Sequence, residues 1–465
     1  MSATGTPAPA GVPQLVPRRR RGTELVLLVA ALVVGVGAFV TAELGYSGEI
    51  PGNLVSVAGG FVALAVIAHV AVRLLAPYAD PVLLPLVVML NGLGLAMINR
   101  IDLDLVASTD DGPFAGQQVL WTMIGVSGFV IVLALLRDHR RLQAFTYTLG
   151  LAAIVLLLLP LLPVIGREIN GARIWIRVGP LGFQPGEVAK IFLVVFFAGY
   201  LVVKRDALAL AGRRFAGIDL PRGRDLGPIL VAWLVSLGVL VFQRDLGSSL
   251  LFFGLFVVLL YVATERVGWI VVGGLLFAAG SWFGYLTFAH VQERVTGWLD
   301  PFSDTDAYYQ IVQGLYGLAF GGMVGTGLGQ GDPSLTPFSY SDFIVTSLGE
   351  ELGLAGLMAI ILCYGLIVER GLRIALLCRD AFGKLLAAGL AVSFALQVFV
   401  VVGGVTRLIP LTGLTTPFLS YGGSSLVANW AIVALLLRIS HGTRRPAPQV
   451  TPLQADDATQ VVRLP

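Results

Sequence analysis

Charge is scarce in this chain: 13% of its 465 residues are Asp, Glu, Lys or Arg, against 56% hydrophobic. A soluble globular domain carries about twice that charged fraction. Division of such a length into two or three soluble domains is therefore excluded. The mean hydropathy of +0.85 points instead to one polytopic membrane domain. The net charge is only +3, so no nucleic-acid partner is suggested. Lysine is nearly missing, with Lys190, Lys204 and Lys384 the only three, which reads as a GC-rich coding bias. The two cysteines, Cys363 and Cys378, lie on or just after one predicted helix and give no disulfide framework. No internal repeat is visible.

What the chain has is long apolar runs. A bilayer core needs about 20 apolar residues per helix. Twelve segments qualify: 24–44, 53–76, 82–98, 118–136, 142–163, 188–204, 226–242, 247–263, 267–289, 343–369, 381–408 and 418–439. An open sheet would leave backbone groups unpaired in lipid, so the fold class is all-α. The first run, Glu24–Thr41, follows Arg18–Arg21 with no clear small-residue cleavage site. It reads as a retained helix rather than a leader.

Basic residues fall in alternate connections: Arg18–Arg21; Arg137, Arg140 and Arg141; Lys204 to Arg224; Arg370 to Lys384; Arg444 and Arg445. The excess of positive charge on the inner side predicts both termini in the cytoplasm. The opposite face then receives the loops 99–117, 164–187 and 290–342. Residues 1–17 are rich in Pro, Ala and Thr, and residues 446–465 are polar without apolar period; both are expected to be disordered cytoplasmic tails.

Four stretches carry unusual chemistry. The first runs from Asn170 through Arg173, Ile174, Trp175 and Arg177 to Pro185, Glu187 and Lys190. Pro185 fits a helix entrance, Glu187 suits its first turn, and Lys190 shares that face three residues on. A capped helix end with a wetted ion pair and a lipid-interface Trp175 is the plain reading; a headgroup site is the functional one. The second, Gln243 to Ser249, reads as a tight turn with an Arg244–Asp245 pair.

The third is the long loop with Arg294, Tyr309, Gln310, the glycine run Gly325–Gly331 and Asp342. No strand precedes the glycines, which excludes a nucleotide loop. Asp342, Glu350 and Glu351 crowd one helix mouth, and an ionisable residue at membrane depth is a functional candidate. The fourth, Arg407 to Ser425, has Pro410 and Pro417 about a short turn, then Ser420 and small residues that suit close helix packing.

Together GARIWI, FQPGEVAK, QRDLGSS, YYQIVQG, SDFIVTSLGEELG and IPLTGLTTPFLSYGGSS resemble the SEDS family (shape, elongation, division and sporulation proteins). The likeness spans roughly residues 80–440 and is strongest to RodA-type elongation members of actinobacteria. It implies a ten-helix core, with 23–79 as two added N-terminal helices and tails at 1–22 and 441–465. Ile174, where a basic or polar residue is usual, and Ser341, for the usual Thr, depart from the family pattern.

The resemblance implies a peptidoglycan glycosyltransferase that polymerises lipid II outside the cytoplasmic membrane beside a class B penicillin-binding protein. Asp342 matches the family's essential loop aspartate and is the expected base, with Glu187 and Lys190 in the catalytic set. Arg173, Arg177, Lys190 and Arg294 are the expected pyrophosphate contacts. Trp175, Asp245, Tyr309, Gln310, Glu350 and Ser420 complete the substrate-binding candidates. A divalent cation, Mg²⁺ or Mn²⁺, is the one cofactor allowed for. A lipid II flippase and a division-type FtsW paralogue remain alternatives. The partner's single span is expected against an Ala- and Gly-rich face that includes Ala387, Ala388, Gly389 and Ala391.

Overall fold

The computed structural model describes residues 21–446, apart from 109–112, 170, 179–180, 210–212, 216–217 and most of 221–240. Among the described residues, eleven helices are long and apolar enough to cross a membrane. The expected segment 226–242 lies mostly outside the described residues, as do most of the two tails; the last helix nevertheless continues to Arg444.

The chain order is α1 (Arg21–Ser47), α2 (Leu54–Leu75), α3 (Leu83–Ser108), α4 (Phe114–Leu135) and α5 (Thr146–Leu158). Three strands follow, β1 (Gly166–Ile169), β2 (Ala172–Val178) and β3 (Leu181–Phe183), then α6 (Pro185–Ala209), β4 (Arg213–Phe215) and β5 (Ile218–Leu220). The remaining helices are α7 (Leu246–Thr264), α8 (Gly268–Thr287), α9 (Ala289–Leu299), α10 (Tyr309–Gly321), α11 (Ile344–Leu377), α12 (Ala381–Val405) and α13 (Gly423–Arg444). The sheet β1-β2-β3 is antiparallel. It replaces the irregular loop expected at 164–187. The loop 290–342 likewise holds two helices, α9 and α10.

Local chemistry sets the helix ends. Asp245 accepts a hydrogen bond from the Ser248 amide at 3.0 Å and starts α7. Asp380 does the same for α12 through the Gly383 amide at 2.7 Å. Each satisfies one of the orphan donors at a helix N-terminus.

Burial separates the bundle into a centre and a rim. In the span windows of α3, α6, α12 and α13, 78%, 72%, 72% and 89% of residues are buried; in α8 only 6% are. Lipid is as apolar as the helix surfaces, so close packing rather than water exclusion must hold the centre. A Cβ at Gly125 would lie 2.6 Å from the Trp430 ring, and one at Gly389 2.7 Å from Val194. This overturns the expected partner face: Ala387, Ala388 and Ala391 are 0%, 4% and 1% exposed. They pack inward against the chain itself.

Helix α11 is broken at Gly353, whose φ of +68° is left-handed. The glycine run enters this break: a Cβ at 353 would lie 2.2 Å from the Gly325 amide nitrogen. Gly353→Ala therefore combines backbone strain with a clash against backbone, about 2–4 kcal/mol in all. Its unfolding midpoint in detergent should fall clearly. Gly365→Ala on the same helix, with open space around it, should not move. Equal midpoints would remove the packing argument.

The two ends of the bundle differ in charge. Arg444 pairs with buried Asp80 at 2.6 Å, Arg370 approaches it at 3.9 Å, and Arg140 reaches Asp380 at 3.4 Å. The sheet, α9, α10 and the loop between α12 and α13 occupy the opposite end, where Asp342 opens α11.

Candidate active site

Asp342 lies just before α11 and is half-buried. Its Oδ1 accepts from the Ser341 hydroxyl at 2.9 Å. Ser420 holds the same turn, donating to the Ser341 carbonyl at 2.7 Å and accepting from the Thr416 amide at 2.8 Å. The α12–α13 loop thus fixes the aspartate's backbone. At Gly413, φ is +74°, and a Cβ there would stand 3.5 Å from Asp342 Oδ2 and 4.0 Å from Arg294 Nη2. Glycine suits the left-handed backbone that carries this loop past the carboxylate.

Arg294, on α9, donates to the Leu411 carbonyl at 2.7 Å. Its charge acts on both Asp342 and Asp245. Burial pushes the Asp342 carboxyl up to about 6, with Asp245 adding to the rise, while the Ser341 hydroxyl and Arg294 pull down. Burial likewise raises Asp245, against its Ser248 hydrogen bonds and Arg294, and Glu187 pushes the same way as burial. Perturbed carboxylates around one guanidinium mark a functional-site candidate. Among the described residues Asp245 forms no ion pair with Arg244; it caps α7 instead, which replaces the local turn pairing expected from sequence.

Glu187 and Lys190 pair at 2.8 Å, as their spacing predicts. They are buried at 6% and 3% exposure, not wetted. Lys190 also donates to Gln397 Oε1 at 2.8 Å, and Gln397 donates to the Thr415 carbonyl at 2.9 Å. Lys190 is thereby bound on two sides and acts on the α12–α13 loop. Gln397 was not singled out in the sequence, although one glutamine inside an otherwise apolar span is a legible signal.

A small cleft between sheet and helices is lined by Ile174, Gln184, Gly186, Gln243, Asp245 and Ser248. Alternation along β2 turns Ile174 and Ile176 to one face and Arg173, Trp175 and Arg177 to the other. Arg173 is exposed and pairs with Glu168 at 2.9 Å; Arg177 is exposed too. Tyr309 is 44% exposed, and Gln310 donates to the Pro337 carbonyl at 3.2 Å.

Glu350 is not brought to this group. Its carboxylate accepts from the Asp332 amide at 2.7 Å, and Glu351 lies 3.2 Å from Arg100 and accepts from the Gly329 amide at 2.9 Å. Both brace the glycine run. The carboxylate acting on Asp342 is Asp245, not Glu350 or Glu351. His290 is a residue the sequence reading missed: burial, Arg294 and Arg244 lower the pKa of its imidazole, and its buried Nε2 has no hydrogen-bond partner among the described residues.

The sequence model of the FtsW, RodA and SpoVE family, described as cell cycle proteins, matches residues 81–445. The chain is 51% identical over 442 residues to the peptidoglycan glycosyltransferase RodA of Mycobacterium tuberculosis, covering 94% of each. The RodA of Mycobacterium leprae is 49% identical, with 92% of each covered. A probable peptidoglycan glycosyltransferase FtsW of Geobacter is 35% identical over 79% of this chain and 98% of that one. Among solved structures, a chain of a peptidoglycan synthase complex that coordinates polymerization and crosslinking superposes with a TM-score of 0.63. It is 30% identical over 79% of this chain and 99% of that one. The rod shape determining protein RodA of Thermus thermophilus gives 0.53 at 28% identity, covering 79% of this chain and 98% of that one.

Proposed function

The chain belongs to the FtsW, RodA and SpoVE family of cell cycle proteins and is a peptidoglycan glycosyltransferase of the RodA type, and from that premise we propose that it joins lipid II units with Asp342 as the general base. The observation that carries this reading is the Asp342–Arg294–Asp245 grouping beside the α12–α13 loop. A hydroxyl of the acceptor N-acetylglucosamine attacks the anomeric carbon of the donor N-acetylmuramyl residue. The new C–O bond forms as the bond to undecaprenyl pyrophosphate breaks. Asp342 takes the hydroxyl proton, and Arg294 offsets charge on the departing phosphate. Charge stabilisation of this kind is often the larger part of catalysis.

Lys190 and Glu187 then hold the α12–α13 loop through Gln397. Arg173, Trp175 and Arg177 form an exposed face suited to an anionic headgroup. Asp342 and Asp245 would be the carboxylates to hold a Mg²⁺ or Mn²⁺ ion together with substrate phosphates. Such an ion would neutralise phosphate charge. The partner is a class B penicillin-binding protein, supported by the likeness to a synthase complex that both polymerizes and crosslinks.

Polymer formation from lipid II by the purified chain in detergent tests this activity, because transport has no meaning there. Absence of polymer under any condition would favour the flippase. Arg294→Gln should shift the acid limb of the rate to higher pH. The carboxyl must be ionised to accept a proton, and losing the guanidinium removes a charge that holds its pKa down. An unmoved limb would detach Arg294 from Asp342.

The Arg-rich end faces the cytoplasm and the Asp342 end faces outward, by the excess of positive charge on the inner side. In a background free of native cysteine, Ser303→Cys should react with an impermeant maleimide in intact spheroplasts, while Arg141→Cys should not; both positions are exposed. The reverse pattern would invert the orientation.

A further inference from the structure

Cys378, Asp380 and His139 meet at the end of the bundle opposite Asp342, and none of them takes part in the chemistry above. Asp342 and Cys378 flank the two ends of α11. Cys378 closes that helix, Asp380 opens α12, and His139 begins the short 3-10 turn His139–Phe145 that leads into α5. Their donor atoms all lie within 4.8 Å of one another. The closest approaches are 3.0 Å from His139 Nε2 to Asp380 Oδ2 and 3.3 Å from Cys378 Sγ to the same oxygen.

We infer that His139, Cys378 and Asp380 form a binding site for a Zn²⁺-class transition-metal ion. An imidazole nitrogen, a thiolate and a carboxylate oxygen are the ligand types such an ion takes, with a fourth position left for water. Tetrahedral bonding at usual zinc distances places ligand atoms about 3.3–3.7 Å apart, so the observed separations need only small adjustment. Space is provided by Gly383. A Cβ there would lie 2.4 Å from His139 Nε2 and 2.7 Å from Cys378 Sγ, and 3.0 Å from Asp380 Oδ1, the oxygen that caps α12. Any larger residue would fill the space onto which the donors converge.

Asp380 can serve two purposes at once. Its Oδ1 caps α12 through the Gly383 amide at 2.7 Å, leaving Oδ2 toward the other two donors. The remaining ring nitrogen of His139 faces Asp138 Oδ1 at 3.7 Å, which would orient the imidazole. His139 is 5% exposed and Asp380 21%, so the group is shielded yet reachable from solvent. Arg140 competes for Asp380 at 3.4 Å, but its side chain is 60% exposed and free to swing away. Binding would displace the thiol proton and any second proton on the imidazole. A thiolate and a carboxylate then balance the ion's two charges. The ion would tie the α4–α5 connection to the α11–α12 turn, and so brace the far ends of the helices that carry Asp342 and Gln397.

The test uses full-length protein in detergent, stripped with a chelator and titrated with Co²⁺. One Co²⁺ per chain should bind with a thiolate-to-cobalt absorption band, which added Zn²⁺ bleaches. Cys363→Ser should keep the band, and Cys378→Ser should lose it while staying folded. Zn²⁺ should also raise the unfolding midpoint of the unaltered chain and of Cys363→Ser, but not of Cys378→Ser. No band, or a band that survives Cys378→Ser, would leave the three residues as a hydrogen-bonded triad and overturn the site.

Discussion

Asp342→Asn lowers lipid II polymerisation by at least about 10²-fold, or roughly 2.7 kcal/mol of barrier, while the protein folds and reaches the membrane. The substitution is nearly isosteric and can still accept from the Ser341 hydroxyl, so the turn held by Ser420 survives. What is lost is the ability to take a proton. Burial, helped by Asp245, opposes the charged form more than Ser341 and Arg294 support it, so removing the charge should leave the folded state no less stable. That pairing of lower rate with undiminished stability separates a base from a structural carboxylate. Asp342→Glu should retain little activity, because its longer side chain misplaces the carboxylate. A detergent polymerisation assay beside an unfolding scan reads both quantities.

The second large effect is expected at Lys190→Met. The side chain fits the apolar surroundings, but Glu187 loses its partner at 2.8 Å while 6% exposed. An unpaired buried charge costs about 3–5 kcal/mol. Gln397 loses a donor as well, and with it part of the hold on the Thr415 carbonyl. Polymerisation and the unfolding midpoint should therefore fall together, unlike Asp342→Asn. Glu187→Gln with Lys190→Met removes both charges and should recover much of the midpoint. Lys190→Met as stable as the unaltered chain would show that the pair contributes nothing. Glu187→Ala alone should lower polymerisation at least tenfold, about 1.4 kcal/mol.

The helices were legible because their signal is local. A run of apolar residues has no alternative in lipid, and Glu187–Lys190 share a face by spacing alone. The surroundings of Asp342 were not legible. Arg294, Asp245 and Gly413 reach it from three distant connections, and no periodicity encodes that meeting. Adjacency in sequence misled at Glu350: eight residues along a helix is roughly 12 Å, enough to carry it to the glycine run. The β1–β3 sheet escaped because its strands are short, with β3 only three residues long. Ala387, Ala388 and Ala391 misled for a different reason. Small residues mark close helix contact, and the pattern does not say whether the neighbour is another protein or the same chain.

The central claim is that ionisation of Asp342 governs glycan polymerisation, and the pH dependence of the rate tests it most directly. Lipid II polymerisation by the purified protein should fall on acidification with an apparent pKa of about 6, the position to which burial raises this carboxyl. Above that value the carboxylate is available to take the proton, and below it the site is already filled. The residual rate of Asp342→Asn should show no such limb. An acid limb of the same position in Asp342→Asn, or polymerisation by that variant at an undiminished rate, would contradict the account.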